Sequence, residues 1–449
     1  MKVTILSTFD NFGGASIAAS RLNKALNVNG LSSNMLVQDK KGNLPNIETI
    51  APNWFQRKLA LLRFALDRYQ FAFYEKNKEV RFIFSQAKIG IDVSNHPLIQ
   101  HSDIIHLHWI NFGFLSLNSL EKLFETNKSI IWTLHDMWAF TGGCHYSREC
   151  TNYERSCGNC VQFLRNPSEN DLSHQVWERK KEIFSKANLT IVTCSEWLAH
   201  KARESSLLKD KTIISIPNPI NTEIFRPIEK SVARRYFKLA PDKKYILFGA
   251  VKISDERKGF AYFIEALAIL DVRCSMFGID EALNPEPRTS NNGNRTPKRK
   301  YRKEDIEIII FGQAQVSDFE GLPFKVNILG KLSDLETIAK AYSAATVFVS
   351  PSIEDNLPNT IMESMACGIP VVGFEVGGIP EMIDHKVSGL PPNGYLAQYK
   401  SAEDLANGIY WTLFESDYQA LCENSRQKVL DNYSEEVVAE RYKKVYESC

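Results

Sequence analysis

The stretch SPSIEDNLPNTIMESMACGIPVVGFEVGGIPEMIDHKVSGL, Ser350–Leu390, decides the fold class. The apolar run TVFVS that leads into it (Thr346–Ser350) has the make-up of a buried strand, and IMESMACG (Ile361–Gly368) has the pattern of a short helix closed by glycine. Between them lies the turn Leu357-Pro358-Asn359-Thr360, with Asp355 before it and Glu363 after it. A carboxylate, a loop and a helix start therefore meet at the carboxyl end of a strand. In open parallel α/β sheets ligands sit in the crevice at that end, and the N–H groups of a helix start attract phosphate. Glu363, inside the helix, lies within reach of hydroxyls beside such a phosphate. A phosphate cradle next to hydroxyl acceptors suits a sugar nucleotide.

The same strand-then-helix pattern runs through the rest of the chain. VTILS (Val3–Ser7), DIIHLHW (Asp103–Trp109), SIIWTLH (Ser129–His135) and LTIVTCS (Leu189–Ser195) are each followed by a helix-length segment, which predicts parallel βαβ units. IPNPINTEIFRP (Ile216–Pro227) reads as a linker. After it the pattern restarts with KYILFGA (Lys244–Ala250), EIIIFG (Glu307–Gly312), VNILG (Val326–Gly330), TVFVS and IPVVGF (Ile369–Phe374). The expected architecture is α/β, with two facing Rossmann-like domains of parallel strands, 1–218 and 219–430, enclosing a cleft. A terminal helix over 431–449 is expected to pack back on the first domain. The segment about 281–305 carries turn formers and basic residues with little apolar content, and reads as a solvated, mobile insertion.

With 449 residues and 44% hydrophobic composition the chain has material for two cores. Lys+Arg 54 against Asp+Glu 53 leaves no global field to draw nucleic acid, so recognition must be local. The opening MKVTILSTFDNFGGAS enters a strand directly and lacks the features of a signal peptide. Nor does any segment have the uninterrupted apolar length of a membrane span. The expected location is cytoplasmic or peripheral at the cytoplasmic membrane face.

Several further groups carry candidate chemistry. Gly13 and Gly14, in FGGAS after the first strand, allow close approach of a ligand to a helix start. His135, in TLHD, falls at the carboxyl end of a strand, where cleft residues lie. Lys252, Arg257 and Lys258 follow the first strand of the second domain, where cations would stabilise a leaving diphosphate. Cys144, Cys150, Cys157 and Cys160, in the loop 142–161, have the spacing C-x5-C-x6-C-x2-C. Structural zinc, two disulfides and free thiols are the readings that spacing leaves open. WFQRKLALLRFALDRYQFAFYEKN (Trp54–Asn77) mixes aromatics and leucines with basic residues. It reads either as a helix lying on an anionic membrane or as a core-facing helix with a charged outer face.

From FGGAS to the terminal helix, the chain resembles the retaining glycosyltransferases of family 4, which have the GT-B fold. DNLPNTIME is similar to that family's paired-acid motif, with GGIPEMI following. The block TLHD…GGCHYS…CGNC is similar to the subgroup that makes colanic acid and other exopolysaccharides. The resemblance implies that Glu363 holds the ribose hydroxyls and that Asp355 contacts the transferred sugar. Asp355 is one methylene shorter than the family's usual glutamate, and Glu354 stands beside it. Leu357, Pro358, Asn359 and Thr360 would line the sugar or phosphate, with Glu381 among the donor-binding residues. His135 would lie near the sugar's primary hydroxyl, and Gly13 and Gly14 by the diphosphate. Lys258 matches the basic residue of the family's Lys-Gly pair. The family's preceding arginine has no counterpart after Gly249, so Arg257 or Lys252 is expected to replace it.

No acidic DxD cluster appears among the expected cleft residues, so the enzyme is expected to be independent of divalent metal and to need no catalytic cofactor. It would move a hexose from a UDP- or GDP-sugar to a lipid-linked or oligosaccharide acceptor bound by the first domain, in cell-surface polysaccharide synthesis. A sugar-nucleotide epimerase on the same scaffold and a noncatalytic nucleotide-sugar sensor are the alternatives.

Overall fold

The computed structural model describes residues 1–283, 303–385 and 389–449, and divides into two compact units: Met1–Ile220 with Asn432–Cys449, and Asn221–Asp431. The segment about 281–305, expected from its composition to be a mobile insertion, lies outside the described residues except at its two ends.

The first unit is built on seven parallel strands: β1 (Lys2–Phe9), β2 (Ser32–Asp39), β3 (Ile47–Thr49), β4 (Ile104–Leu107), β5 (Ser129–Leu134), β6 (Leu189–Thr193) and β7 (Thr212–Ser215). Their order across the sheet is β3-β2-β1-β4-β5-β6-β7. Both faces are covered, as the nearly continuous apolar strands require. Along β5, Ile130, Trp132 and Leu134 enter one core while Ile131 enters the other. The helix Glu435–Glu447 closes the second face, burying Val438, Ala439, Tyr442, Val445 and Tyr446 against β1 and the helix Gly14–Val28. Its entry is fixed by backbone bonds from Ile220 N–H to the Tyr433 carbonyl (2.8 Å) and from Glu435 N–H to the Ile220 carbonyl (3.2 Å).

The second unit has six parallel strands: β8 (Lys244–Lys252), β9 (Ile306–Gln313), β10 (Lys325–Gly330), β11 (Val347–Ser350), β12 (Val371–Phe374) and β13 (Gly394–Ala397). Their order is β10-β9-β8-β11-β12-β13. Ile246 and Phe248, Ile308 and Ile310, Val347 and Val349, and Val372 and Phe374 share one core, alternating along their strands as the pleat demands. The two Rossmann-like sheets expected from the strand pattern are both present. β2, β3, β7 and β13 are additional to the strands read from sequence.

In each sheet the order runs outward in both directions from one strand pair, β1/β4 in the first and β8/β11 in the second. Such a reversal opens a crevice at the carboxyl ends, because the adjoining loops turn to opposite faces. In the second unit two glycines hold that crevice tightly. A Cβ on Gly259 (φ +67°) would stand 1.8 Å from the Pro351 carbonyl oxygen, and one on Gly377 (φ +60°) would stand 1.8 Å from that of Asp355.

Gly321 also has positive φ (+82°) but meets nothing within 4 Å of an added Cβ. Gly321→Ala is expected to cost about 1 kcal/mol, the backbone penalty alone. Gly259→Ala adds a collision between backbones and is expected to cost about 2–4 kcal/mol. Thermal unfolding of the two variants beside the parent checks the difference.

Candidate functional site

In the second unit the loop after β8 and the loop after β11 meet at the strand-order reversal. Asp255 accepts the Arg257 N–H and starts a short 3-10 turn, Glu256–Lys258, that ends at the left-handed Gly259. This turn aims Lys258 at the second loop, where its Nζ lies 2.6 Å from Asp355 Oδ2. Asp355 is the less exposed partner, with 14% of its side chain accessible against 33% for Lys258. The Ile353 N–H donates to the Arg257 carbonyl (2.8 Å), and the Tyr399 hydroxyl donates to the Ile353 carbonyl (3.2 Å). The cation and the carboxylate are thus carried on loops that are themselves bonded together.

The helix Asn359–Ala366 begins just beyond, with Pro358 at its N-cap, no side-chain cap and no acid in its first turn. Its leading N–H groups are therefore suited to an anion. Leu357 and Pro358 are buried and hold the turn, while Asn359 and Thr360 keep part of their surface. Glu363, one turn into the helix and partly exposed, accepts a bond from the Tyr342 hydroxyl (3.2 Å), which orients its carboxylate. Glu381 lies in the short helix Ile379–Met382 that follows β12, and Glu354 is partly exposed next to Asp355.

Arg257 stands beside Lys258 in the same short turn. Its Nε and Nη2 bond both oxygens of Asp255 (3.2 and 2.8 Å), so its charge is largely met within its own loop. Lys258 is the cation that meets a site carboxylate. The sequence pattern treats the basic residues and Asp355 as separate groups and gives no sign of the ion pair.

In the first unit Gly13 (φ +81°) and Gly14 are exposed at the start of the helix Gly14–Val28, whose N-cap has no side-chain bond and whose first turn has no acid. The loop after β4 lies beside it: the Thr8 N–H donates to the Trp109 carbonyl (2.7 Å) and the Thr8 hydroxyl to the Asn111 carbonyl (2.8 Å). His135, at the end of β5, is partly exposed. Its Nε2 lies 2.9 Å from Nδ1 of the buried His108. His108, Asn111, His135 and Asp136 line a small recess, and His108 Nε2 and Asn111 Oδ1 have no hydrogen-bond partner among the described residues.

A chain of buried polar groups continues beneath. His106 Nε2 lies 2.7 Å from the Thr133 hydroxyl and its Nδ1 2.8 Å from the Tyr446 hydroxyl, while Tyr442 reaches Thr133 at 2.9 Å. Asp136 accepts from Trp109 Nε1 (2.9 Å) and sits 2.7 Å from His145 Nδ1. Sequence reasoning found His135 and missed the rest of this network. The HLH spelling in DIIHLHW was its signal, since histidines at alternate positions of a buried strand share a face and need partners.

Burial drives the acid-base behaviour of these groups. It pushes His106 down to about 3 and His135 to about 4, and lowers His108 well below the ordinary histidine value. Burial opposes ionisation of Asp136, but His145 beside it, the Trp138 N–H and Trp109 hold its carboxyl below the usual range. His135 is therefore a neutral imidazole near neutral pH, fitted to hydrogen-bond a hydroxyl rather than to supply charge.

The four clustered cysteines are unbridged in the structure. Among the described residues no group of three or more His, Cys, Asp or Glu side chains is arranged to hold a metal ion. The loop is organised by packing and backbone bonds: Cys157 Sγ accepts the Gly142 N–H (3.0 Å), and the Cys160 N–H donates to Asp171 (2.8 Å). Burial pushes the Cys157 thiol up to about 12 and Cys160 to about 11. Fully buried Lys180 donates to the Trp138 and Thr141 carbonyls beneath the loop, and burial lowers it to about 7.

Residues 294–414 match the profile of the family described as Glycosyl transferases group 1, a span that includes Asp355, Glu363 and Glu381. The chain is similar to the putative colanic acid biosynthesis glycosyl transferase WcaC of Escherichia coli, 27% identical over 182 residues, covering 38% of this chain and 42% of that protein. It is also similar to an N,N'-diacetylbacillosaminyl-diphospho-undecaprenol alpha-1,3-N-acetylgalactosaminyltransferase of Campylobacter jejuni, 32% identical over 123 residues, 27% of this chain and 30% of that one. The chain thus spans less than half the length of these curated relatives. Among solved structures, Anabaena Alr3699/HepE in complex with UDP superposes with a TM-score of 0.61 at 14% identity, over 100% of both chains. The two-sheet architecture is that of the GT-B proteins.

The folded chain keeps His106 and His108 neutral where the unfolded chain would protonate them, at and below about pH 6.5. Stability is therefore expected to fall as pH drops from 6.5 toward 4, by up to about 1.4 kcal/mol per pH unit for each such histidine. His108→Asn should make that slope shallower by about one proton. Unfolding midpoints measured across pH 4–7.5 check both.

Proposed function

We propose that the protein is a retaining glycosyltransferase that moves a hexose from a UDP- or GDP-sugar to a lipid-linked or oligosaccharide acceptor in cell-surface polysaccharide synthesis. The observation that carries this reading is the meeting of Lys258 and Asp355 at the strand-order reversal of the second sheet, next to the uncapped start of the helix Asn359–Ala366. A cation and a hydroxyl acceptor thus stand on loops at the strand-order reversal, a few residues before a helix start suited to an anion. The match of residues 294–414 to group 1 glycosyl transferases and the similarity to WcaC support the reaction class and the polysaccharide setting. The undecaprenol-linked substrate in the printed name of the Campylobacter relative supports a lipid-linked acceptor. The UDP complex of HepE supports a nucleoside-diphosphate donor.

In this reading Glu363, oriented by Tyr342, takes the ribose hydroxyls, and Asp355 takes a hydroxyl of the transferred sugar. Lys258 and the first N–H groups of the helix Asn359–Ala366 stabilise the diphosphate as its bond to the anomeric carbon breaks. The acceptor hydroxyl attacks that carbon from the face the diphosphate leaves, and its proton passes to a phosphate oxygen. These cations and dipoles supply the charge stabilisation, so turnover is expected to survive chelation of divalent metal. In the first unit, the neutral His135 is fitted to hydrogen-bond a sugar hydroxyl, and the helix start at Gly13 and Gly14 is suited to a phosphate.

Incubation with radiolabelled UDP- and GDP-sugars and a membrane lipid extract tests the proposal. Label is expected to appear in a lipid or oligosaccharide product with equimolar release of nucleoside diphosphate, and the product is expected to keep the donor's anomeric configuration. Lys258→Ala and Glu363→Ala should each lower turnover about 10²–10³-fold with the fold intact. Conversion of the donor to an epimer without nucleoside diphosphate release would replace this reading with the epimerase. Donor binding without any turnover would favour the sensor.

A further inference from the structure

The helix Trp54–Ala72 is inverted relative to an ordinary surface helix. Of its nineteen residues it buries only Ala60, Asp67, Arg68 and Phe71. Two of those four are charged. Arg68 Nε donates to Asp67 Oδ2 (3.2 Å), and its Nη1 donates to the Arg81 and Phe84 carbonyls (2.7 and 2.8 Å), while Phe71 stacks on Phe84. The ion pair is thus inside, and the apolar side chains are outside. A core-facing helix with a charged outer face, one of the two sequence-based readings, is the opposite of what the structure has.

The exposed apolar residues form one face. At about 100° per residue, Trp54, Phe55, Leu61, Leu62, Leu66 and Tyr69 fall within an arc of roughly 140°. Trp54 is 72% exposed, Phe55 and Tyr69 63% each, Leu61 58% and Leu62 50%. Phe73, next to the helix end, adds another 63% exposed ring that packs edge-on against Tyr69. The summed apolar surface is on the order of 700 Å², above the few hundred Å² usual for a contiguous patch on a soluble chain.

Charge selects what covers it. The exposed charges of this helix are Arg57 and Lys58, Arg63 is partly exposed and bonds the Gly113 carbonyl, and the single acid is the buried Asp67. Lys58 lies in the middle of the apolar arc, with its Nζ 5.7 Å from the Trp54 ring centre, and the exposed Lys76 and Lys78 follow the helix. A symmetric pairing of two such faces would bring Lys58 against its own copy and gather like charges in an apolar contact. An anionic lipid surface satisfies both properties. Leucine and phenylalanine enter the acyl boundary, tryptophan and tyrosine suit the headgroup level, and each cation near the surface contributes about 1 kcal/mol.

We infer that the helix Trp54–Ala72 is a docking face that lies in the plane of an anionic bilayer, with Trp54, Phe55, Leu61, Leu62 and Tyr69 immersed and Lys58 at the lipid phosphates. This deepens the proposal of a lipid-linked acceptor by giving the chain a site on the membrane that holds such an acceptor, and it is tested without any glycosyl transfer. Among the described residues no helix is long and apolar enough to cross a membrane, so the contact is interfacial.

The full chain is sedimented with vesicles of phosphatidylcholine alone and of phosphatidylcholine with one third phosphatidylglycerol. It is expected to pellet with the anionic vesicles and to partition at least tenfold less onto neutral ones. A triple variant, Trp54→Ser with Leu61→Ser and Leu62→Ser, is expected to lose at least tenfold in partitioning, and Lys58→Glu several-fold, while Lys58→Arg keeps the parent value. Because these side chains are exposed, unfolding midpoints and UDP titration should match the parent. Equal pelleting by parent and triple variant, or no pelleting of the parent, overturns the proposal. So does a concentration-dependent dimer that the triple variant abolishes, since that assigns the face to a second copy. Lipid binding in a chain that transfers no sugar would leave this inference standing and remove the transferase reading instead.

Discussion

The second unit depends on the close passage of its backbone at Gly259 and Gly377. Each glycine lies so near a carbonyl of the segment Pro351–Asp355 that a methyl group would overlap the oxygen. These two approaches pin the loop after β11 between the loops after β8 and β12. Without them, Lys258 and Asp355 would be two charged residues on separate loops. With them, the two are held as an ion pair at the one place in the sheet where the strand order reverses. A site built this way is positioned by backbone rather than by long side chains, so its geometry is held with little side-chain entropy cost.

The first unit places its groups differently. There the crevice at β1 and β4 is backed by a polar network that runs from His135 through His108 and from His106 to two tyrosines of the terminal helix. An unpaired polar group in a low-dielectric interior is costly, and Tyr442 and Tyr446 complete the bonding of Thr133 and His106, while His108 Nε2 stays without a partner among the described residues. The last helix of the chain therefore takes part in the region behind His135, which ties the packing of residues 435–447 to a candidate site far away in sequence.

Much of the architecture was legible in the sequence because central parallel strands are buried on both faces and spell themselves as runs such as VTILS, EIIIFG and TVFVS. The strands that escaped notice include edges and short pieces, such as β3, β7 and β13, where fewer neighbours demand apolar residues. Glu363, Asp355 and the turn before the helix were readable because a helix start, its uncapped N–H groups and a preceding strand are all local features. The Lys258–Asp355 pair was not, since it joins residues 97 apart through loop packing that no local pattern encodes. The same holds for Arg257, whose pairing with Asp255 depends on the curl of one short turn. The surroundings of the clustered thiols were not legible for a similar reason, since Cys157 takes the Gly142 N–H and packs in the first unit's core through contacts that the spacing does not encode.

The central claim is that the crevice at β8 and β11 receives the nucleoside diphosphate of a sugar donor. Hydrogen–deuterium exchange of the full chain, with and without saturating UDP or GDP, reads this most directly. Slowed exchange is predicted at the backbone amides of 256–260 and 353–363, the two loops and the helix start that would enclose the diphosphate. Unchanged exchange in both segments, with nucleotide bound and protection appearing elsewhere, would contradict it.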